Sequence, residues 1–312
     1  MKKTILITSA NGRMGQAAIK AFANRGWSIN TLVRKSNPDR QRRESVADIT
    51  EYIGDVRDMD AMSRAATGCE VILHAANPSY VHWPEVLPAS TRVLIDVARS
   101  VNATILLPGN VYPFGETMPS VLSTNSPHNP SCEHGLLRAQ MEQSLRTAAK
   151  EQGVQTLLVR AGNYIDGRDT GNWFESHMCK KLDNAKFMYP GHTDCACEWI
   201  YLPDVAEVMA QLAEIRDELG LYEDIGSPGF SVTGSELHNA LESVVGKSLK
   251  LTAFPWKLVK LLGWFLPKMK AVHDLRYLYF VPHAIDGSRL KEILPHWRPT
   301  SLKGTLYEVV GK

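Results

Sequence analysis

Short apolar runs alternate with amphipathic segments along the first part of this chain. The first run, residues 5–7, ends in a turn of small and polar residues at 9–15. A pattern with the period of a helix follows as far as Gly26, and a second strand-like run occupies 28–33. A strand, a tight turn, a helix and a second strand in this order predict the first βαβ unit of a parallel sheet.

The same alternation continues for more than a hundred residues. Further strands are predicted at 49–53, 71–74, 104–107 and 155–159, and further helices at 59–67, 85–100 and 133–152. These strands are apolar through most of their length, which is typical of a parallel sheet that helices cover on both faces. We therefore predict an α/β fold with a doubly wound parallel sheet of the Rossmann type.

Beyond the last of these strands the pattern weakens. Residues 162–173 are rich in loop-forming residues, whereas 199–213 again predict a strand followed by a helix. The section after residue 232 is richer in aromatic residues and proline. We predict two regions, a nucleotide-binding Rossmann core at 1–165 and a smaller, mainly substrate-binding C-terminal lobe at 166–312, from which about 196–215 return to the core.

The first turn carries the residues expected of a phosphate-binding loop. Gly12 and Gly15 allow backbone N–H groups at the start of the helix to approach a pyrophosphate, whose charge the helix dipole favours. Arg34 ends the second strand, where NAD sites carry an acidic residue and an arginine accommodates the 2′-phosphate of NADP. Lys35 follows it, and Arg13 lies inside the turn. We predict NADP(H) rather than NAD(H); the alternative is that Arg34 and Lys35 form a solvated strand exit.

Composition and charge narrow the class of protein. Of the 312 residues 44% are hydrophobic and 22% charged, which are ordinary globular values. The net charge of +2 predicts no nucleic-acid partner, and we interpret Arg40, Arg42 and Arg43 as a basic loop face. The five cysteines are scattered without metal-ligand spacing, so we predict reduced thiols, no metal and a cytoplasmic protein. No apolar stretch is long enough to predict a membrane span.

Several short segments, in the order in which they occur, resemble landmarks of the extended short-chain dehydrogenase/reductase superfamily, in particular its NAD-dependent epimerase/dehydratase-like proteins. Residues 8–15 resemble the glycine-rich turn, 54–56 the Asp-containing segment that touches adenine, and 75–77 the Ala-rich strand end near the cofactor. Later landmarks are resembled at 111–112, 160–163, 199–204, 232–237, 286–290 and 297–299. The resemblance implies a set of cofactor-binding residues, which are Ser9, Asn11, Gly12, Arg13, Met14, Arg34, Asp55, Val56, Ala75, Ala76, Asn77 and Asn163.

The turn departs from the pattern of the family at its first glycine, which is Ser9 here. If the backbone needs a positive φ at this position, a serine is strained there. Asn11 tolerates such a conformation better than most residues. We therefore expect cofactor binding to survive in a weakened form.

The three catalytic positions of the family are also altered. Its Ser or Thr falls at Pro108, and its Tyr and Lys, four residues apart on a helix, fall at His134 and Arg138. The spacing places His134 and Arg138 on one helix face, where an imidazole can exchange protons near neutral pH and Arg138 can hold the nicotinamide ribose. Tyr112 is the other candidate proton carrier. The alternatives are that His134 is a surface residue and Tyr112 a packed aromatic.

The resemblance implies an NADP(H)-dependent oxidoreductase that acts on a small carbonyl or hydroxyl compound with a non-standard catalytic site. Loss of the three family residues keeps open a non-catalytic NADP(H)-binding sensor or regulator. A sugar-nucleotide epimerase or dehydratase is disfavoured, because that chemistry normally relies on the missing Tyr and Lys. The predicted partners are a small-molecule substrate and, as an open alternative to a monomer, a second copy in a homodimer.

One later segment has two interpretations. Between Trp256 and Lys270, leucines and a phenylalanine alternate with lysines. This pattern is typical of a helix that lies on a membrane surface. A substrate-domain helix that covers the pocket is the favoured interpretation, because the family carries its variable lid there and Pro267 limits the length of the helix.

Overall fold

A computed structural model describes residues 2–36, 48–167 and 170–311. The basic cluster Arg40, Arg42 and Arg43 lies outside the described residues. The strands, in chain order, are β1 (Thr4–Thr8), β2 (Ser28–Val33), β3 (Ile49–Ile53), β4 (Val71–Leu73), β5 (Thr104–Gly109), β6 (Val121–Leu122), β7 (Thr156–Arg160), β8 (Asn163–Ile165), β9 (Lys186–Tyr189), β10 (Cys197–Tyr201), β11 (Tyr222–Gly226), β12 (Phe230–Val232), β13 (Lys250–Ala253) and β14 (Ala284–Ile285).

Helices follow most of the early strands. In chain order they are α1 (Arg13–Asn24), α2 (Met59–Ala66), α3 (Trp83–Val101), α4 (Glu133–Gln152), α5 (Leu202–Glu214), α6 (Gly234–Val245), α7 (Trp256–Gly263), α8 (Pro267–Asp274), α9 (Ser288–Ile293) and α10 (Leu302–Val310). Their local sequence explains where several of them begin. The side chain of Asp58 accepts hydrogen bonds from the first N–H groups of α2, and Thr233 and Glu236 form a capping box at the start of α6.

A seven-stranded sheet contains the strands that the apolar runs predict. Its order is β11–β7–β5–β4–β1–β2–β3, and the pairs β1–β2, β2–β3, β1–β4 and β4–β5 are parallel. The observed strands agree with the predicted ones to within two residues at each end. The strand order reverses direction between β1 and β4, as expected of a doubly wound sheet. The predicted α/β fold is therefore confirmed.

The chain forms two compact units, each built from three segments whose residues contact mainly one another. The first unit comprises Met1–Gly109, Leu137–Val159 and Val205–Ile225, and the second comprises Asn110–Leu136, Arg160–Asp204 and Gly226–Lys312. The division at 1–165 and 166–312 concerns which residues bind cofactor and substrate, and it stays a prediction.

The core of the first unit lies between its sheet and helices. Ile72, Ile105 and Leu158 from three strands pack with Met62 of α2 and Leu94 of α3 in one buried cluster. Burial of each such side chain contributes roughly 1.5–3 kcal/mol to folding. The apolar residues of these strands are thereby explained, because they are buried against helices that pack on the sheet.

Smaller sheets organise the second unit. β10 pairs in parallel with β8 and antiparallel with β12, and two further parallel pairs join β13 to β9 and β14 to β6. β8 lies inside the stretch 162–173 that the sequence suggested was loop-rich. Three residues are too few to produce a recognisable period, so only the pairing with β10 reveals this strand.

Candidate functional site

The turn between β1 and α1 is held in a left-handed conformation at Ser9. Its φ is 51°, its N–H donates to the carbonyl of Leu32 at 2.9 Å, and its carbonyl accepts from the N–H of Gly12 at 2.8 Å. The condition under which a serine is strained at this position is therefore met. Asn11 is not among the described residues with positive φ; its side chain instead donates to the carbonyl of Lys35 at 2.9 Å. Asn11 thus links the turn to the chain that leaves β2.

Gly12 and Gly15 have no side chains, so the start of α1 can lie directly against the backbone of Ser9 and Ala10. A Cβ atom on Gly15 would stand 2.6 Å from Cα of Ala10 and 2.8 Å from the carbonyl oxygen of Ser9. A Cβ on Gly12 would stand 3.1 Å from the same oxygen. Gly12 is the N-cap of α1 and has no side chain with which to cap the first helical N–H groups. These groups are therefore suited to an anion.

Ser9→Gly is expected to stabilise the protein by about 1 kcal/mol. A serine in the left-handed conformation costs about 1–2 kcal/mol, which glycine avoids. Part of this gain is offset because glycine loses more conformational entropy than serine when the chain folds. Denaturant unfolding followed by circular dichroism measures the change. The control is Ser63→Gly inside α2, which should destabilise by roughly 0.5–1 kcal/mol. A Ser9→Gly protein less stable than the wild type would show that the serine side chain contributes more than its backbone strain costs.

Charged residues gather where β2 and β3 end. Arg34 and Lys35 are exposed beyond β2, and Asp55 follows β3. The Arg57 guanidinium donates to Asp55 at 2.8 Å and also bonds to Glu85. The hydrogen bond from Arg57, with a further contribution from the charge of Arg34, holds the pKa of Asp55 below its usual range. Arg34 and Asp55, predicted separately from the sequence, therefore lie near one another.

The side chain of Thr8, at the end of β1, forms hydrogen bonds with the end of β4 and the residues that follow it. Thr8 Oγ1 donates to the carbonyl of Leu73 at 3.4 Å and accepts from the N–H of Ala75 at 3.1 Å. Ala75 is half-buried, and Asn77 is exposed. The predicted cofactor-binding residues in the first unit thus lie at the carboxyl ends of neighbouring strands or in the loops and helix start that follow them. Those residues are Ser9, Asn11, Gly12, Arg13, Met14, Arg34, Asp55, Val56, Ala75, Ala76 and Asn77.

Asn163 belongs to the second unit and has a structural contact there. It begins β8, and its side chain donates to the carbonyl of Glu198 in β10 at 3.2 Å. Glu198 is a buried carboxyl group that the sequence did not indicate. It accepts from the N–H groups of Gly229 at 2.7 Å and Ile285 at 3.4 Å, and its burial raises its pKa to about 7. A single glutamate in an apolar strand gives no sequence signal for such a role.

Arg138 is buried in α4 beside aromatic and imidazole groups. Its guanidinium lies over the ring of Trp83, 5.0 Å from the centroid. His74, buried at the end of β4, has a pKa lowered to about 3 by burial and by the charge of Arg138. His74 is therefore neutral, and its Nδ1 has no hydrogen-bond partner within the described chain. Arg138 thus has a packed environment rather than a solvated one.

His134 and Tyr112 lie in the second unit. His134 is buried in the first turn of α4, so the interpretation of this histidine as a surface residue is wrong. A Cβ on the next residue, Gly135, would stand 2.5 Å from the carbonyl oxygen of Tyr112. That carbonyl also accepts from the hydroxyl of Tyr277 at 3.1 Å. The structure thus holds the backbone of Tyr112 against the start of the helix that carries His134 and Arg138.

Pro108, the third altered position, has no side-chain group that can carry a proton. It is half-buried in the last part of β5.

Among the described residues no group of three or more His, Cys, Asp or Glu side chains is placed to hold a metal ion. The five cysteines are free thiols, and Cys195 and Cys197 have their sulfurs 3.8 Å apart.

The sheet order and the glycine turn define a Rossmann-type protein, and comparison with known proteins then identifies the family. The family model described as NAD dependent epimerase/dehydratase family matches residues 5–225. The chain belongs to this family. The resemblance inferred from the sequence motifs is therefore confirmed.

Individual relatives are distant. The chain is 22% identical over 302 residues to the N-acetyl-alpha-D-glucosaminyl-diphospho-ditrans,octacis-undecaprenol 4-epimerase of Escherichia coli O157:H7, covering 94% of this chain and 86% of that protein. The UDP-glucuronic acid 4-epimerase of Bacillus cereus, solved in complex with NAD, is similar in structure with a TM-score of 0.79, 14% identity and coverage of 98% and 97%. The L-threonine dehydrogenase of Phytophthora infestans has a TM-score of 0.78, 16% identity and coverage of 99% and 98%. At these identities the solved structures show a shared fold.

Proposed function

We propose that this protein is an NADP(H)-dependent oxidoreductase that acts on a small carbonyl or hydroxyl compound. The observation that carries the proposal is the start of α1, where Gly12 and Gly15 bring backbone N–H groups to an open, uncapped helix terminus. Membership of the NAD dependent epimerase/dehydratase family supports a nicotinamide cofactor at this terminus. The NAD-bound relative supports the same class of cofactor.

The residues of the first unit fit such a cofactor. Replacing the hydrogen of Gly15 by a methyl group would bring carbon within 2.6 Å of the turn, so the glycine keeps the helix start close to the loop. Arg13 and Arg34 are exposed cations that suit the negative charge of phosphates. Asp55, held ionised by Arg57, would accept hydrogen bonds from the adenine end. A bound nicotinamide would supply the hydride chemistry of the family.

We propose that His134 handles the proton that accompanies this chemistry. An imidazole can act as acid or base near neutral pH, and burial of His134 shields its proton exchange from bulk water. Arg138, one helical turn further on, is a positioning residue whose fixed charge would hold the nicotinamide ribose. Tyr112 is the second candidate for the proton. The altered position Pro108 takes no part.

Two alternative functions compete with the proposed oxidoreductase, and both can be tested. Substitution of the family's Ser or Thr, Tyr and Lys by Pro108, His134 and Arg138 favours a non-catalytic NADP(H)-binding sensor or regulator. The curated relative from Escherichia coli O157:H7 is an epimerase. We do not assign epimerisation to this chain, because the Tyr and Lys on which that chemistry normally relies are missing. NAD retained tightly through purification would reverse this choice.

The experiment that tests the proposed function is oxidation of NADPH by the purified protein against a broad panel of aldehydes and ketones. Turnover of at least one carbonyl class is the expected result. Saturable NADPH binding with no turnover across the panel would favour the sensor. Light scattering on the same sample determines whether the protein is the homodimer that the sequence leaves open.

Arg34→Ala is expected to weaken NADP binding by about ten- to a hundredfold and to leave NAD binding unchanged, because a charge-assisted hydrogen bond to the 2′-phosphate contributes roughly 1.5–3 kcal/mol. Isothermal titration of both cofactors measures this. Arg64→Ala, an exposed arginine of α2, is the matched control and should change neither affinity. Equal losses for NADP and NAD would remove Arg34 from the 2′-phosphate role.

A further inference from the structure

α7 and α8 form a hairpin in the second unit, joined by Trp264, Phe265 and Leu266; we call it the Trp264 hairpin. A Cβ on Gly263 would stand 3.2 Å from Cα of Lys270, so the two helices are in close contact beside the connection. On its inner side α7 is anchored by buried Val259. The indole N–H of Trp256 also donates to the carbonyl of Pro190. The hairpin is therefore a packed element, not a loose loop.

The outer side of the hairpin is apolar and exposed. Leu258 is 53% exposed, Leu261 57%, Phe265 76% and Trp264 78%. Leu258, Leu261 and Phe265 follow each other at three and four residues, so they form one stripe along α7 and its extension. Proteins without a partner seldom expose a contiguous apolar patch with aromatic residues at its most exposed point. The stripe is therefore a candidate contact surface.

Positive charge borders the stripe. Lys257, Lys260 and Lys268 are exposed, and none of them forms an ion pair with a residue that the structure describes. The sequence from Trp256 to Lys270 contains no aspartate or glutamate. The fourth lysine, Lys270, is already bonded to Asp274 at 2.7 Å. The patch therefore combines an apolar stripe with uncompensated positive charge.

We propose that the Trp264 hairpin docks this protein on a bilayer surface that carries anionic phospholipids. Lysines that flank an apolar stripe attract such headgroups, while their aliphatic stems can lie along the apolar layer. Tryptophan is favoured at the boundary between headgroups and acyl chains because its ring is apolar and its N–H is polar. Within the described ranges no helix is long and apolar enough to cross a membrane. The hairpin therefore lies in the interface and does not span it.

A second copy of this chain is a poorer occupant. In a two-fold symmetric interface the same patch meets itself, so Lys257, Lys260 and Lys268 would face the same three cations. This repulsion disfavours self-association, whereas the same cations are attracted to a negatively charged surface.

The test is flotation of the full chain with vesicles of phosphatidylcholine alone or mixed with phosphatidylglycerol. We expect binding to the mixed vesicles at low ionic strength and loss of binding with added salt. The charge variant Lys257→Glu/Lys260→Glu/Lys268→Glu should lower the partition coefficient on the order of a hundredfold. The tip variant Trp264→Ser/Phe265→Ser should lower it by about tenfold or more while salt dependence remains.

Two matched controls separate this surface from charge and hydrophobicity in general. Lys150→Glu/Lys247→Glu/Lys303→Glu makes the same change in net charge at exposed lysines elsewhere, and Val121→Ser/Leu221→Ser removes two other exposed apolar side chains. Both should bind like the wild type. Wild-type protein that stays with the soluble fraction, or controls that lose binding as much as the hairpin variants, would overturn the proposal. So would a tip variant whose only effect is to dissociate an oligomer in light scattering. Because vesicle binding needs neither cofactor nor substrate, its failure is distinguishable from failure of the proposed function.

Discussion

His134→Ala is expected to lower kcat for carbonyl reduction by about a hundred- to ten-thousandfold, the range that a general acid or base contributes. His134, which the sequence resemblance assigns to the tyrosine position of the family, is buried in the first turn of α4. Alanine keeps the helix but removes the only group at this position that can carry a proton. The dissociation constant of NADP should change little, because the predicted phosphate-binding residues lie in the first unit.

Three measurements make this prediction decisive. Steady-state kinetics gives kcat and KM, the pH profile of kcat/KM should lose one ionisation, and titration gives the affinity for NADP. His296→Ala removes an exposed histidine and should leave all three unchanged. If His134→Ala turns over at the wild-type rate, the proton role passes to Tyr112, and Tyr112→Phe becomes the variant to measure.

Gly15→Ala is expected to reduce NADP affinity by about a hundredfold or more and to destabilise the protein by about 1–3 kcal/mol, as overpacking does in a close-packed site. The added methyl group would stand 2.6 Å from Cα of Ala10 and 2.8 Å from the carbonyl oxygen of Ser9. Both neighbours are backbone atoms, so neither can rotate away. The turn and the start of α1 must separate, which displaces the N–H groups that we assign to the pyrophosphate.

Titration of NADP and denaturant unfolding measure these two effects. The control is Gly167→Ala, because a Cβ atom on Gly167 would meet no described atom within 4 Å. It should leave affinity unchanged. A Gly15→Ala protein that binds NADP like the wild type would remove the helix start from the cofactor site, whatever its stability.

The fold was predictable because its signal is local and repeated. Apolar runs such as 71–73 and 105–107 predict buried parallel strands, and most such runs are followed by a polar segment and a helical period. β8 was not predictable in this way, because three residues carry no period. The compact units were not readable from local patterns either, since residues distant in the chain share one unit.

The candidate site was predictable only in part. Gly12 and Gly15 stand out because a glycine-containing turn between a strand and a helix is typical of a dinucleotide-binding site. Arg34 stands out because it follows the second strand, where the residue type distinguishes NADP from NAD. The sequence also marked Ser9 as a position that is strained if its φ is positive, and the structure supplied that φ. Glu198 gave no such signal: its pKa of about 7 results from burial among residues distant in sequence.

The sequence by itself determined the alternation of the main strands and helices as far as Val159, the family, and the residue types at the altered positions, because each of these depends on neighbours in the chain. Only the tertiary structure decided which side chains meet. It buried His134, placed Arg138 over Trp83 and beside His74, and left the apolar stripe at Trp264 exposed. An amphipathic pattern such as 256–270 is compatible with a lid and with a membrane surface alike. Exposure and uncompensated charge depend on what packs against the helix, and no local pattern contains that information.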